Sequence, residues 1–174
     1  MRSLQFRRGA TRPGALLALA LLVLAAAPSR AACTDVAAPK VDWRRCVQDG
    51  GDFARQDLHG ATLRETSFAF ADLSGADLGG AEAYHAKFLN ANLAGARLDG
   101  ALLTEADFTR GNLVGASLAH ADLRRARFFR SVLRNADLTG AQLAGADLLN
   151  ADLAGALWTD GKRRCAADSI GQCN

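Results

Sequence analysis

An all-β, four-sided parallel β-helix is the fold this sequence predicts, and three observations predict it. Large apolar residues recur at every fifth position from Phe53 to Trp158, through 22 consecutive words in which only Ala83 falls short. Five helical steps turn a side chain by about 140° and five strand steps turn it to the opposite face, so neither element suits the period. The chain must bend once per word. Within each word a small apolar residue, a polar one and a large apolar one read as in, out, in, which is three residues of strand. The two residues that follow often end in Gly, as at Gly60, Gly75, Gly80, Gly95, Gly100, Gly115, Gly140, Gly145 and Gly155. Glycine accepts the backbone angles of a corner. Finally, Phe68, Phe88, Phe108 and Phe128, followed by Leu148, fall on every fourth word. Four words per coil stack these rings about 4.8 Å apart, whereas three words per coil scatter them over all sides.

The elements follow in order. Residues 1–31 read as a secretory signal peptide: a start bearing Arg2, Arg7, Arg8 and Arg12, an apolar run from Ala15 to Ala27, and the ending Ser29, Arg30, Ala31, with cleavage expected after Ala31. The run is short for a membrane span, which needs about 20 residues, so no stable membrane insertion is expected after cleavage. Arg30 stands where a lipobox carries Leu, which argues against a lipid on Cys33, and the residues after Arg7 and Arg8 fit twin-arginine export poorly. Residues 32–50 form an N-terminal cap, residues 51–160 the repeat and residues 161–174 a C-terminal cap. In the repeat, the position two before each centre is Ala in most words, with Gln56 the one bulky exception.

Composition agrees with a narrow, repetitive core: 49% hydrophobic, 22% charged and only 6% aromatic. The formal charge of +3 depends on the leader. Removing residues 1–31 takes away five arginines and no acid, leaving 16 basic against 18 acidic residues. A nucleic-acid partner, which wants a clearly basic face, gains no support.

The words ADLSG, ANLAG, ADLTG and ADLAG resemble those of the pentapeptide repeat proteins, and the match covers residues 51–160. The resemblance implies a right-handed, four-sided β-helix with the central Leu or Phe inside and the small residue beside it. Gln56 and Ala83 depart from the pattern, as do Leu102, Val132 and Leu157 at the usual Asp or Asn position. The tail WTDGKRRCAADSIGQC is similar to an ending of exported members. Cys33, Cys46, Cys165 and Cys173 all lie outside the words, and four cysteines in an exported chain suggest two disulfides with three connectivities open. A rod of 5.5 coils is about 26 Å long at 4.8 Å per coil. Joining Cys46 to Cys165 would oblige both flanks to run back along it, so Cys33 with Cys46 and Cys165 with Cys173 are expected, each stapling a cap over an open sheet end.

Nothing in the sequence assembles a catalytic, cofactor or metal site. His59 and His120 are expected on one side of the rod and His85 on the next, with no nucleophile beside them. Columns such as Asp52, Asp72 and Asp152 read as structural, because a short carboxylate can bond neighbouring backbone. Two surface features stand out as a candidate interaction surface. Arg124, Arg125, Arg127, Arg130 and Arg134 crowd into eleven residues, an anchor for an acidic partner, lipid headgroup or polyanion or else a solvated face near Glu105, Asp107 and Asp122. Ala69, Phe70, Leu89, Phe129 and Leu149 form an outward apolar stripe on the Phe-bearing side. The function expected is a non-enzymatic scaffold, periplasmic or secreted, that binds a protein partner or pairs as a homodimer. The alternatives are a DNA-mimicking, topoisomerase-protecting role known among the resembled family, and a ligand-binding or enzymatic solenoid. DNA mimicry wants a strongly acidic surface, while residues 51–160 carry 14 acids against 10 bases.

Overall fold

The computed structural model describes residues 33–174; the predicted leader lies outside them. From residue 41 to residue 160 the backbone repeats one motif, three extended residues and a two-residue turn. The middle residue of each triplet pairs in parallel with the residue twenty positions on, from Asp42 with Thr62 to Asp137 with Leu157. A coil is therefore four words, and the words stack into four columns. The first column is centred on residues 43, 63, 83, 103, 123 and 143, and the second on 48, 68, 88, 108, 128 and 148. The third runs from Phe53 to Leu153 and the fourth from Leu58 to Trp158.

Each triplet satisfies its backbone between coils. The centre donates its N–H to the coil that follows, as Phe88 does to the Asp107 carbonyl at 2.7 Å, and the residue before it donates backwards, as Asp107 does to Ala86 at 2.9 Å. The turn closes when the next word's first N–H reaches the centre's carbonyl, as Ala91 does to Phe88 at 3.2 Å. Burying one Leu contributes about 1.5–3 kcal/mol, less than the cost of ordering five residues at about 1–2 kcal/mol each. A word holds its shape only against its neighbours.

Inside the coils the centres and the small residues form one core. Phe68, Phe88, Phe108 and Phe128 stack with centroids 5.4, 4.9 and 4.9 Å apart and planes within 5° of parallel, the spacing that twenty residues per coil requires. Ala83 is fully buried in its column all the same.

The coil begins at residue 41, ten residues ahead of the boundary read from the sequence. Val41, Trp43 and Cys46 fill inward positions of two further words. Gln48 hides the second of these, since it stands where the repeat carries Leu or Phe; it is half-buried, and its Nε2 donates to the Cys33 carbonyl at 3.0 Å. Trp43 tilts against Phe68 and Phe53 meets it edge-on, which ends the aromatic stack. Gln56 is tolerated because its place in the first coil leaves it exposed.

Both disulfides are local, Cys33 with Cys46 and Cys165 with Cys173. After residue 160 the chain reverses and lays an antiparallel segment over the last two words. Leu153 donates to Ser169, Gly155 to Cys165 and Trp158 to Arg163, at 2.9, 2.9 and 2.8 Å, so the reversed segment ends the ladder there.

Candidate interaction surface

The outward side chains sort by their place in the word. Before each centre, twelve Asp or Asn residues accept the N–H two positions on through Oδ1, as Asp72 does from Ser74 and Asp137 from Thr139, both at 2.9 Å. The carboxylate holds the entry to the turn. Asp72 has its pKa lowered, first by this bond from the Ser74 backbone. Asn92 extends the column by donating to Asp72, and Asn112 by donating to Asn92, at 3.0 and 3.1 Å.

The three histidines stand apart. His59 lies 3.9 Å from Asp77 and His85 lies 3.4 Å from Glu105, while the space beside the His120 ring is left open by Gly140 in the coil that follows. Among the described residues no three His, Cys, Asp or Glu side chains come together as metal ligands, and no helix is long and apolar enough to cross a membrane.

Four of the five clustered arginines meet carboxylates. Arg124 pairs with Asp122 at 2.6 Å, Arg127 with Asp107 at 2.7 Å, Arg134 with Asp152 at 2.6 Å and Arg125 with Glu105 at 3.4 Å. Asp107 and Asp122 are themselves buried. The guanidinium beside Asp122 holds its carboxyl below the usual range, against the opposing effect of burial. Arg130 differs: its guanidinium lies 5.0 Å from the centre of the Phe129 ring, and it has no carboxylate within ion-pair distance among the described residues. The apolar stripe lies on the same edge. Phe70 and Leu149 are 70% and 60% exposed, and Leu89 and Phe129 are half-buried.

The turns carry a signal that the five-residue period conceals. From Arg45 to Gly155 the second turn residue of every word has positive φ, the conformation a type II turn requires there and one that favours glycine. After the fourth column it is Gly60, Gly80, Gly100 and Gly140, interrupted by His120. After the third it is Gly75, Gly95, Gly115 and Gly155, with Arg55 and Asn135 as exceptions. The second column is bordered differently on both sides. Before it stand Arg45, Glu65, His85, Glu105 and Arg125, with Gly145 the exception, and after it Phe70, Asn90, Arg110, Arg130 and Asn150, with Gly50 the exception, the non-glycine residues all at φ between 53° and 60°. Large side chains are thus held in a strained conformation along both borders of one column. Sorting turn residues by every fourth word would have exposed this in the sequence.

A family model described as pentapeptide repeats matches in eight copies, over residues 52–82, 86–125 and 121–157. Among solved structures the chain is similar to HetL, a pentapeptide repeat protein involved in heterocyst differentiation regulation from the cyanobacterium Nostoc sp. strain PCC 7120, at 29% identity over 71% of this chain and 66% of that one, with a TM-score of 0.48. It is also similar to a trypsin-treated variant of QnrB1, a plasmid-mediated fluoroquinolone resistance protein, at 21% identity over 69% of this chain and 63% of that one, with a TM-score of 0.54. The chain spans just under two thirds of the length of both. No curated protein matches it.

Proposed function

The chain belongs to the pentapeptide repeat family, a right-handed β-helix solenoid, and from that premise we propose that it is an exported, non-enzymatic scaffold that presents one long face to a protein partner. The observation that carries the reading is the contrast between turns. Two rows of turns are mostly glycine, while the two that border the second column keep Arg, Glu, His, Phe and Asn at positive φ. Such a conformation costs an L residue about 1–2 kcal/mol, and strain retained at so many aligned positions points to side chains that are used.

The remaining features fit. Four columns and four rows of turns support a four-sided cross-section, which gives a partner a flat surface. Two local disulfides suit an oxidising compartment, the periplasm or the cell exterior, and suit the role of staples for a cap at each end. Most of the outward carboxylates are engaged with the backbone of their own turn or with an arginine beside them, which supports a structural reading of these columns. The likeness to QnrB1 extends to the fold, and a resistance role forms no part of this reading.

Site-specific photo-crosslinking in cells tests the proposal. A crosslinker at Thr109, in the turn that follows the second column and at the same position as Leu89 and Phe129 in the adjacent coils, is expected to capture a protein, and one at Ala94, beside the glycine turn Gly95, is expected to capture none. Absence of a protein adduct from every face would sink the scaffold reading. Fractionation with mass measurement tests export, which requires a mature chain that begins after Ala31 outside the cytoplasm.

A further inference from the structure

We propose that the edge between the second and third columns is the docking site for an acidic amphipathic helix of a partner protein, an inference that rests on the scaffold reading above and names the partner's chemistry. The edge combines two rows. In the turns that follow the second column, the first residue contributes Leu89, Phe129 and Leu149, and the second contributes Phe70, Arg110 and Arg130. Aromatic residues and arginine in one partly exposed strip form the composition enriched at the anchors of protein interfaces.

Charge identifies the occupant. Arg44, Arg45, Arg64, Arg97, Arg124, Arg125, Arg127 and Arg134 each pair with a carboxylate. Arg110 and Arg130, like Arg55, Arg163 and Arg164, have none within 4.0 Å among the described residues, and of these five only Arg110 and Arg130 occupy the same turn position in adjacent coils, about 4.8 Å apart. Two like charges stacked in register and left uncompensated call for carboxylates from outside. Acids three or four residues apart on a helix lie about 4.5–6 Å apart along its axis and match that spacing. The strip from Phe70 to Asn150 spans four coils, about 19 Å, the length of about 13 helical residues. An anionic membrane or nucleic acid fits less well, because residues 51–160 carry 14 acids against 10 bases and would be repelled as a whole.

The test uses the full chain, exported so that both disulfides form, as bait for a display library of helical peptides with a randomised outer face. Selected peptides are expected to carry Asp or Glu at i and i+4 beside Leu, Phe or Met. Their affinity is expected to fall about tenfold or more in the Arg110→Glu/Arg130→Glu variant. Glutamate suits both positions, since Glu65 and Glu105 already hold φ of 59° in the neighbouring turns. Arg55→Glu, which reverses an arginine on a mostly glycine row, is expected to leave affinity unchanged. The inference falls if no peptide is selected, if those selected lack acidic residues, or if the double variant binds them equally. It also falls if phosphatidylserine vesicles or duplex DNA are bound in preference to the peptides, or if the edge proves to hold a second copy of the chain, seen as a dimer that the double variant dissociates. A protein adduct at Thr109 alongside any of these results would leave the scaffold reading standing and remove only the acidic helix.

Discussion

At Arg110 the backbone holds φ at 58°, and a Cβ there meets strain that glycine does not. Arg110→Gly should therefore raise the urea midpoint, by about 1 kcal/mol of stability, while weakening partner binding. Gly95→Ala, at φ 65° on a glycine row, should lower stability by a similar amount without touching binding. Equal losses of stability at both sites would show that the arginine turn carries no strain. Asp122 supports a second prediction. Its folded pKa is lowered, first by the hydrogen bond from Arg124, with burial opposing. A depressed carboxylate contributes stability that is complete above its unfolded value, about 3.9, and is lost as pH falls through the lower folded value. Urea titrations from about pH 6 down to pH 2 should show an acid limb that is shallower in Asp122→Asn, with lower stability at neutral pH. An unchanged limb would mean that Arg124 solvates the carboxylate no better than water.

The words and the tail behave differently as elements. A word is legible in sequence because its inward residues are few and its period survives even at Ala83, whose small side chain still sits at 0% exposure. The first two words were not legible, because Gln48 breaks the apolar period and its amide is engaged by the Cys33 carbonyl, a contact no period encodes. The antiparallel direction of the tail was equally hidden: residues 163–171 carry no repeat, and their direction is set by the ladder they meet. Only the cysteine spacing foretold that they stay local. A disulfide closing eight residues limits the freedom of that tail by about 2–3 kcal/mol in the chain-entropy model. Cys165→Ser/Cys173→Ser should therefore loosen the segment while the coils persist. Hydrogen exchange should speed at Leu153 and Gly155, whose N–H groups bond to Ser169 and Cys165, and stay slow at Leu113. The uncovered edge should also promote association in light scattering. Exchange that quickens equally at Leu113 would instead make the tail part of one cooperative unit.

On the scale of the whole molecule, stability is a sum over neighbouring coils and no coil contacts one beyond the next. The proposed interaction surface has a longer reach. The stripe from Phe70 to Leu149 exists only because every coil repeats after twenty residues, so that outward positions align. This separates folding from function in a deletion experiment. Removing residues 91–110 takes out one complete coil, brings Phe88 beneath Phe128 and leaves every later word in its column. The shortened chain should melt cooperatively as a β-helix, with one Phe stack fewer and with Arg130 kept on the edge. Removing residues 91–95 preserves the five-residue period but moves each later word one column round. It breaks the contact of Phe88 with Phe108, now 4.9 Å, at a cost of about 0.5–1.5 kcal/mol beyond the area lost. It also carries Arg110, Arg130 and Phe129 a quarter turn away from Phe70 and Leu89. Circular dichroism should therefore report β-structure in both chains, the melting temperature should fall further per residue removed in the five-residue deletion, and crosslinking from Leu89 to the partner should survive only in the twenty-residue deletion. A partner captured equally by both would place recognition within one coil and end the case for a continuous face.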